Sequence, residues 1–205
     1  MNWKDGEYEP KQRRADEKKQ RIVESAYRVF SEKGYHGAST KEIAGAAGVA
    51  TGSFYRYFRD KKAVFMAVCH RMEAEVTGRV FDFGEQLRSR GVKGREFIRN
   101  LVEFSVRVHC SGLGFHREMM ALEILDPDVG RWAAERDARI KRRLLEFMEP
   151  MAHELRVTDL PAAMELMFAT IEEVTHMAVI FESEIGEERL VRELADMLSR
   201  YLFEE

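Results

Sequence analysis

Cysteine, proline and long apolar runs are all scarce in this sequence of 205 residues. Two cysteines, Cys69 and Cys110, offer neither a disulfide framework nor a zinc cluster. Four prolines and fourteen glycines leave too little punctuation for a many-stranded β fold. The longest stretch free of Asp, Glu, Lys and Arg runs from Ile43 to Tyr55, too short to span a bilayer. The first ten residues, MNWKDGEYEP, carry acids where a secretory signal needs an apolar segment. These absences predict a soluble, cytoplasmic chain. What is abundant is apolar, at 45%, with enough Leu, Met, Ala, Glu and Arg to favour helices throughout.

The net charge of −3 hides a division: residues 1–70 carry +5 and residues 71–205 carry −8. A basic first segment before a larger acidic one suggests a polyanion-binding part and a part with another task. Periodicity predicts nine helices and no strand. The first rests on Ile22, Val23, Ala26, Tyr27, Val29 and Phe30 and ends at Gly34. Ser39-Thr40-Lys41-Glu42 has the form of a capping box that opens a second, short helix. Gly48 interrupts that helix, a third follows over about 50–58, and Asp60 caps a long fourth. Pro150 is expected to break a later helix, and Pro161 to sit in the first turn of another. The expected organisation is an arm over 1–12, a helix-turn-helix domain over 13–65, and a ligand-binding and dimerisation domain over 66–205.

In the helix-turn-helix reading, Ala44 lies where the two helices touch and Gly48 at the turn. Val49, Phe54 and Phe58 point inward, leaving small and polar side chains outside. The order and spacing of Gly34-Tyr35, Ser39-Thr40, Ile43-Ala44, Ala47-Gly48-Val49, Gly52, Tyr55, Tyr57-Phe58 and Lys61 resemble the TetR family of transcriptional regulators. The likeness covers residues 15–65; Ala50 stands where the family often has serine, and Phe54 where leucine is commoner. The resemblance implies a homodimeric regulator, most often a repressor, that binds a double-stranded operator and is released by a small-molecule effector. By the same resemblance, Thr40 touches phosphate, and Thr51, Gly52, Ser53 and Arg56 face the major groove. Tyr55 and Tyr57 meet the backbone, and Lys61 pairs with a phosphate. Arg13, Arg14, Lys18 and Lys19 could form a DNA-reaching arm or a solvated helix face.

Methionine is plentiful in the later helices, which suits a pocket for apolar ligands as well as an ordinary core. Ser105, His109, Met119, Met120, Glu123, Met167, Ile171 and His176 are candidate pocket residues, for a mostly apolar ligand with one polar or anionic group. Apolar stripes on two sides of the last two helices call for a second surface. The predicted dimer contact uses Met167, Val174, Ala178, Phe181, Leu190, Leu194, Leu198 and Tyr201. Two rival functions are weaker. Glu173-x-x-His176 has the spacing of a helical-bundle di-iron site, but no second copy exists. A protein-interaction module would expose the stripes without needing the Ser39–Lys61 pattern. No catalytic residue, metal or cofactor is expected.

Overall fold

The computed structural model describes residues 5–109, 113–179 and 183–204. Among these, nine α-helices and no strand are found. The N-terminal unit holds the chain up to Met72 together with Gly114–Ala121. Helix α1 spans Asp5–Gly37, so it is helical through much of the expected arm. Its buried stripe is Ile22, Val23, Ala26, Val29 and Phe30. At Gly34 the helical geometry breaks, with φ +71°. A side chain there would be strained, and its Cβ would come 3.0 Å from Glu118 Oε1. Helix α2 (Thr40–Ala46) starts from an extended Ser39, and the capping box forms on both sides. Gly48, at φ +66°, turns the chain toward α3. Helix α3 is shorter than predicted, Thr51–Phe54, and continues to Phe58 as turns. Ala50 at its N-cap offers no side-chain oxygen, so one cap bond is missing where α3 begins. Asp60 accepts from the Ala63 amide at 2.7 Å and opens α4, Lys61–Ser89.

Helix α6 (Leu113–Leu125) supplies the surprise of this unit. Phe115, 1% exposed, packs its ring among Tyr27, Phe30 and Phe65, at 5.1–6.4 Å between centroids. Close approach requires Gly114, where a Cβ would lie 2.7 Å from the Ser31 carbonyl oxygen. The predicted boundary at residue 65 therefore differs from the structure. The aromatic cluster of the first helices is completed by a segment that lies beyond it in sequence.

The C-terminal unit comprises Glu73–Leu113 and Leu122–Glu205. Its core joins Phe81, Phe97, Leu101, Phe147, Met148, Met164, Leu194 and Leu198. These come from α4, α5 (Gly94–His109), α7 (Pro127–Met148), α8 (Leu160–Val179) and α9 (Glu187–Leu202). Asp126 caps α7 with Pro127 in its first turn. At Pro150 the α-helix gives way to a 3-10 helix, Glu149–Glu154, as the missing proline amide requires. Phe147 seats its ring over Gly84, where a Cβ would come within 2.5 Å, and the Arg88 guanidinium lies 3.9 Å above that ring. No helix among the described residues is long and apolar enough to cross a membrane.

Candidate nucleic-acid interface and ligand cavity

The surface of α3 is set by what its inner face buries. Phe54 (0% exposed) and Phe58 (5%) pack inward, while Ile43 and Ala44 of α2 are buried below them. Thr51, Gly52, Tyr55 and Arg56 are consequently exposed, and Ser53 and Tyr57 are half-buried. Tyr55 Oη and Thr40 Oγ1 share a hydrogen bond of 2.9 Å, tying the start of α2 to the end of α3. The Glu42 carboxylate accepts from the Ser39 amide (2.9 Å) and from Lys33 Nζ (2.5 Å). Lys33 first, then Ser39, hold the Glu42 carboxyl down to about 2.

Lys61 meets backbone of its own chain. Its ammonium donates to the Tyr35 carbonyl at 2.6 Å and the Ala38 carbonyl at 2.8 Å, and lies 4.6 Å from the Tyr35 ring centre. Those carbonyls lie past the break at Gly34, where intrahelical partners run out. The Tyr35 amide in turn donates to Glu118 Oε2 at 2.7 Å. Lys61 therefore clamps the chain between α1 and α2 with two of its three N–H donors. Sequence reasoning missed Arg21. With Lys18 one turn earlier, it lines a groove shared with Ser53, Arg56 and Tyr57. The i, i+3 spacing from Lys18 was the available signal.

The C-terminal unit contains a cavity of about 80 Å³. Four predicted residues line it: Ser105, His109, Met167 and Ile171. The rest of its wall comes from α4 (Val76, Thr77, Val80, Phe81) and from Leu101, Ile140, Leu144, Phe168 and Glu172. Met119 and Met120 are not part of it, because they belong to the N-terminal unit with Phe115. Glu123 does not line it either: its carboxylate is paired with Arg136 at 2.7 Å. Burial raises the Glu123 carboxyl above the usual range despite that partner. His176 approaches Glu172 (3.8 Å), as His109 does (3.5 Å). Glu173, the other half of the Glu-x-x-His pair, faces solvent. No group of three potential metal ligands occurs among the described residues.

The dimer stripe also needs correction. Met167 (1% exposed), Leu194 (3%) and Leu198 (3%) are consumed by the core of their own chain, because α9 packs on α5 and α8. Val174 and Leu190 are half-buried, and Tyr201 is exposed. Phe181, the Ala178 side chain and Cys110 lie outside the described residues. Among the described residues of α8 and α9, the exposed apolar side chains include Leu166, Ala169 and Met177 on α8 and Met197 and Tyr201 on α9.

Comparison with known proteins agrees with both halves. Residues 22–68 match the profile of bacterial regulatory proteins of the tetR family. Residues 95–202, more than half of the chain, match that of the tetracyclin repressor-like C-terminal domain. The transcriptional regulator AcrR of Shigella flexneri is 39% identical over 62 residues, 30% of this chain and 29% of that protein. UidR of Escherichia coli is 27% identical over 139 residues, 66% of this chain and 63% of that protein. The chain thus spans less than two thirds of these curated relatives. A Mesorhizobium loti structure described as a TetR-family regulator superposes with a TM-score of 0.76 at 21% identity, covering 91% of this chain and 95% of that one. The chain belongs to the TetR family of bacterial regulatory proteins.

Proposed function

We propose that the chain is a sequence-specific, homodimeric transcriptional repressor of the cytoplasm whose hold on its operator is loosened by a small, mostly apolar ligand. The observation that carries the reading is the exposed face of α3. Thr51, Gly52, Tyr55 and Arg56 stand clear of a recognition element fixed by Phe54 and Phe58. Thr51, Ser53 and Arg56 read base edges in the major groove, where Gly52 lets the backbone approach. Thr40, Tyr55 and Tyr57 contact phosphates and set the docking angle. Lys61 serves by holding the chain ahead of α2. Regulators of this family act as dimers, and the open stripe of Leu166, Ala169, Met177, Met197 and Tyr201 supports the same here.

Induction follows from continuity of one helix. Val76, Thr77 and Val80 line the cavity and belong to α4, the helix that begins at Lys61, three residues after Phe58. A ligand that displaces them biases the direction of that helix, and coupling of about 1–3 kcal/mol weakens operator affinity roughly five- to a hundredfold. Selection from a random duplex library tests the DNA reading. A pseudo-palindrome with half-sites about one helical turn apart is expected. Arg56→Ala should relax base preference, whereas Tyr55→Phe should weaken all sequences alike. Equal affinity of the wild-type protein for every duplex overturns the proposal.

A further inference from the structure

The polar residues that line the cavity are Thr77, Ser105, His109 and Glu172, the last two 3.5 Å apart; the remaining wall is aliphatic or aromatic. Among the described residues lining it there is no lysine or arginine. Nearby cations on α7 are already engaged. Arg136 pairs with Glu123 and Asp137, Arg139 with Glu73, and Lys141 with Glu165, while Arg143 lies 4.2 Å from the Phe81 ring centre. Glu172 faces the two imidazoles of His109 and His176, and its charge also acts on the buried carboxyl of Glu123.

Each ligand class meets Glu172 differently. An anion would be set against Glu172 with no lysine or arginine in the wall to offset the repulsion. A neutral ligand that expelled water would leave the carboxylate poorly solvated. A cation neutralises it, and an ammonium group also donates a charge-assisted hydrogen bond. We propose that the cavity takes a small lipophilic cation, an alkylammonium with its tail among Leu101, Leu144, Met167 and Ile171 and its head on Glu172. This replaces the anionic group admitted by the sequence, and it rests on the ligand-responsive reading above. Size sets a second limit. A dry cavity of about 150 Å³ holds benzene, so at about 80 Å³ even a six-carbon tail requires side chains to move, at equal cost for ligands that share that tail.

Three probes with one tail separate the classes: hexylammonium, hexanoate and 1-hexanol, titrated calorimetrically into the full-length protein at about pH 8. That pH keeps the amine charged. Hexylammonium is expected to bind at least about tenfold more tightly than either companion. Glu172→Gln should bring it within about threefold of hexanol, while hexanol, relieved of the carboxylate's desolvation cost, binds at least as tightly as to the wild type, which also reports that the variant is folded. If the variant does not fold, the wild-type ranking decides alone. Hexanoate binding as tightly as the amine, no binding of any probe, or a preference that survives Glu172→Gln overturns the proposal. Operator affinity measured alongside keeps the two readings apart. Amine binding without operator release defeats the regulatory reading and leaves the cation site standing; release by all three probes equally defeats the cation site alone.

Discussion

The two units set their polar side chains around different kinds of core. In the N-terminal unit, polar groups hold backbone. Ser39 and Glu42 cap α2, Lys61 clamps Tyr35 and Ala38, and Glu118 receives the Tyr35 amide. In the C-terminal unit, ion pairs such as Glu73–Arg139 and Lys141–Glu165 join side chain to side chain around a core that leaves a cavity. The first arrangement fixes a surface whose shape must not vary. The second surrounds a cavity, as the ligand response proposed above requires.

The largest test of this contrast is in the aromatic cluster. Phe30 is fully buried and meets Tyr35, Phe65 and Phe115. Phe30→Ala should cost about 3–5 kcal/mol in denaturant unfolding, because rings held on several sides cannot collapse into the void. A cost under about 1 kcal/mol would show the cluster to be loosely packed.

Adding atoms should separate the units more sharply than removing them. Gly114→Ala drives a methyl to within 2.7 Å of the Ser31 carbonyl oxygen, which is backbone and cannot swing aside. It should destabilise by about 1–3 kcal/mol. Val80→Ile adds one methylene at the cavity wall. It should be neutral or stabilise by up to about 0.8 kcal/mol. Paired melting curves of the two variants check this, and equal losses would erase the distinction.

Lys61 offers a smaller effect with a clear sign. Lys61→Met keeps the stem and removes two donated hydrogen bonds to half-buried backbone, a loss of about 1–2 kcal/mol. A phosphate-pairing lysine would instead leave stability unchanged and lower the salt slope of DNA binding by about one charge. Urea midpoints together with salt titrations distinguish these roles.

Local signals carried most of the fold. The break at Gly34, the capping box, the turn at Gly48 and the stop at Pro150 each depend on a few neighbouring residues, and each stands where it was read. Errors arose where a residue's partner is distant in sequence. Phe115 joins a cluster more than forty residues away in sequence, which drew Met119 and Met120 out of the predicted pocket. Leu194 and Leu198 look like an interface stripe until α5 is known to cover them. Periodicity reports that a face is covered but not by what. The clamp made by Lys61 was hidden for a related reason: its carbonyl partners lie more than twenty residues back.

The smallest expected effect concerns pH and the capping box. Glu42 is half-buried, and its carboxyl is held down to about 2, first by the Lys33 ammonium and then by the Ser39 hydroxyl and amide. In the unfolded chain it returns to the ordinary value of about 4.3. Between these values the unfolded chain binds the proton more readily than the folded one, so acid favours unfolding. The contribution of Glu42 is therefore complete above about pH 5 and fades as pH falls toward 2. Lys33 has the opposite sense: its raised value makes its contribution complete at neutral pH and lost in strong alkali. Glu42→Gln removes the acid-side dependence while leaving an oxygen that can still accept from the Ser39 amide. The difference in urea midpoint between wild type and variant should be largest near neutrality and shrink steadily below about pH 4. High salt should reduce it, because the Lys33 pair lies at the surface. A gap that stays constant from neutral to acid pH would mean that Glu42 acts by shape alone, and the N-terminal unit would then lose one of its charged clamps.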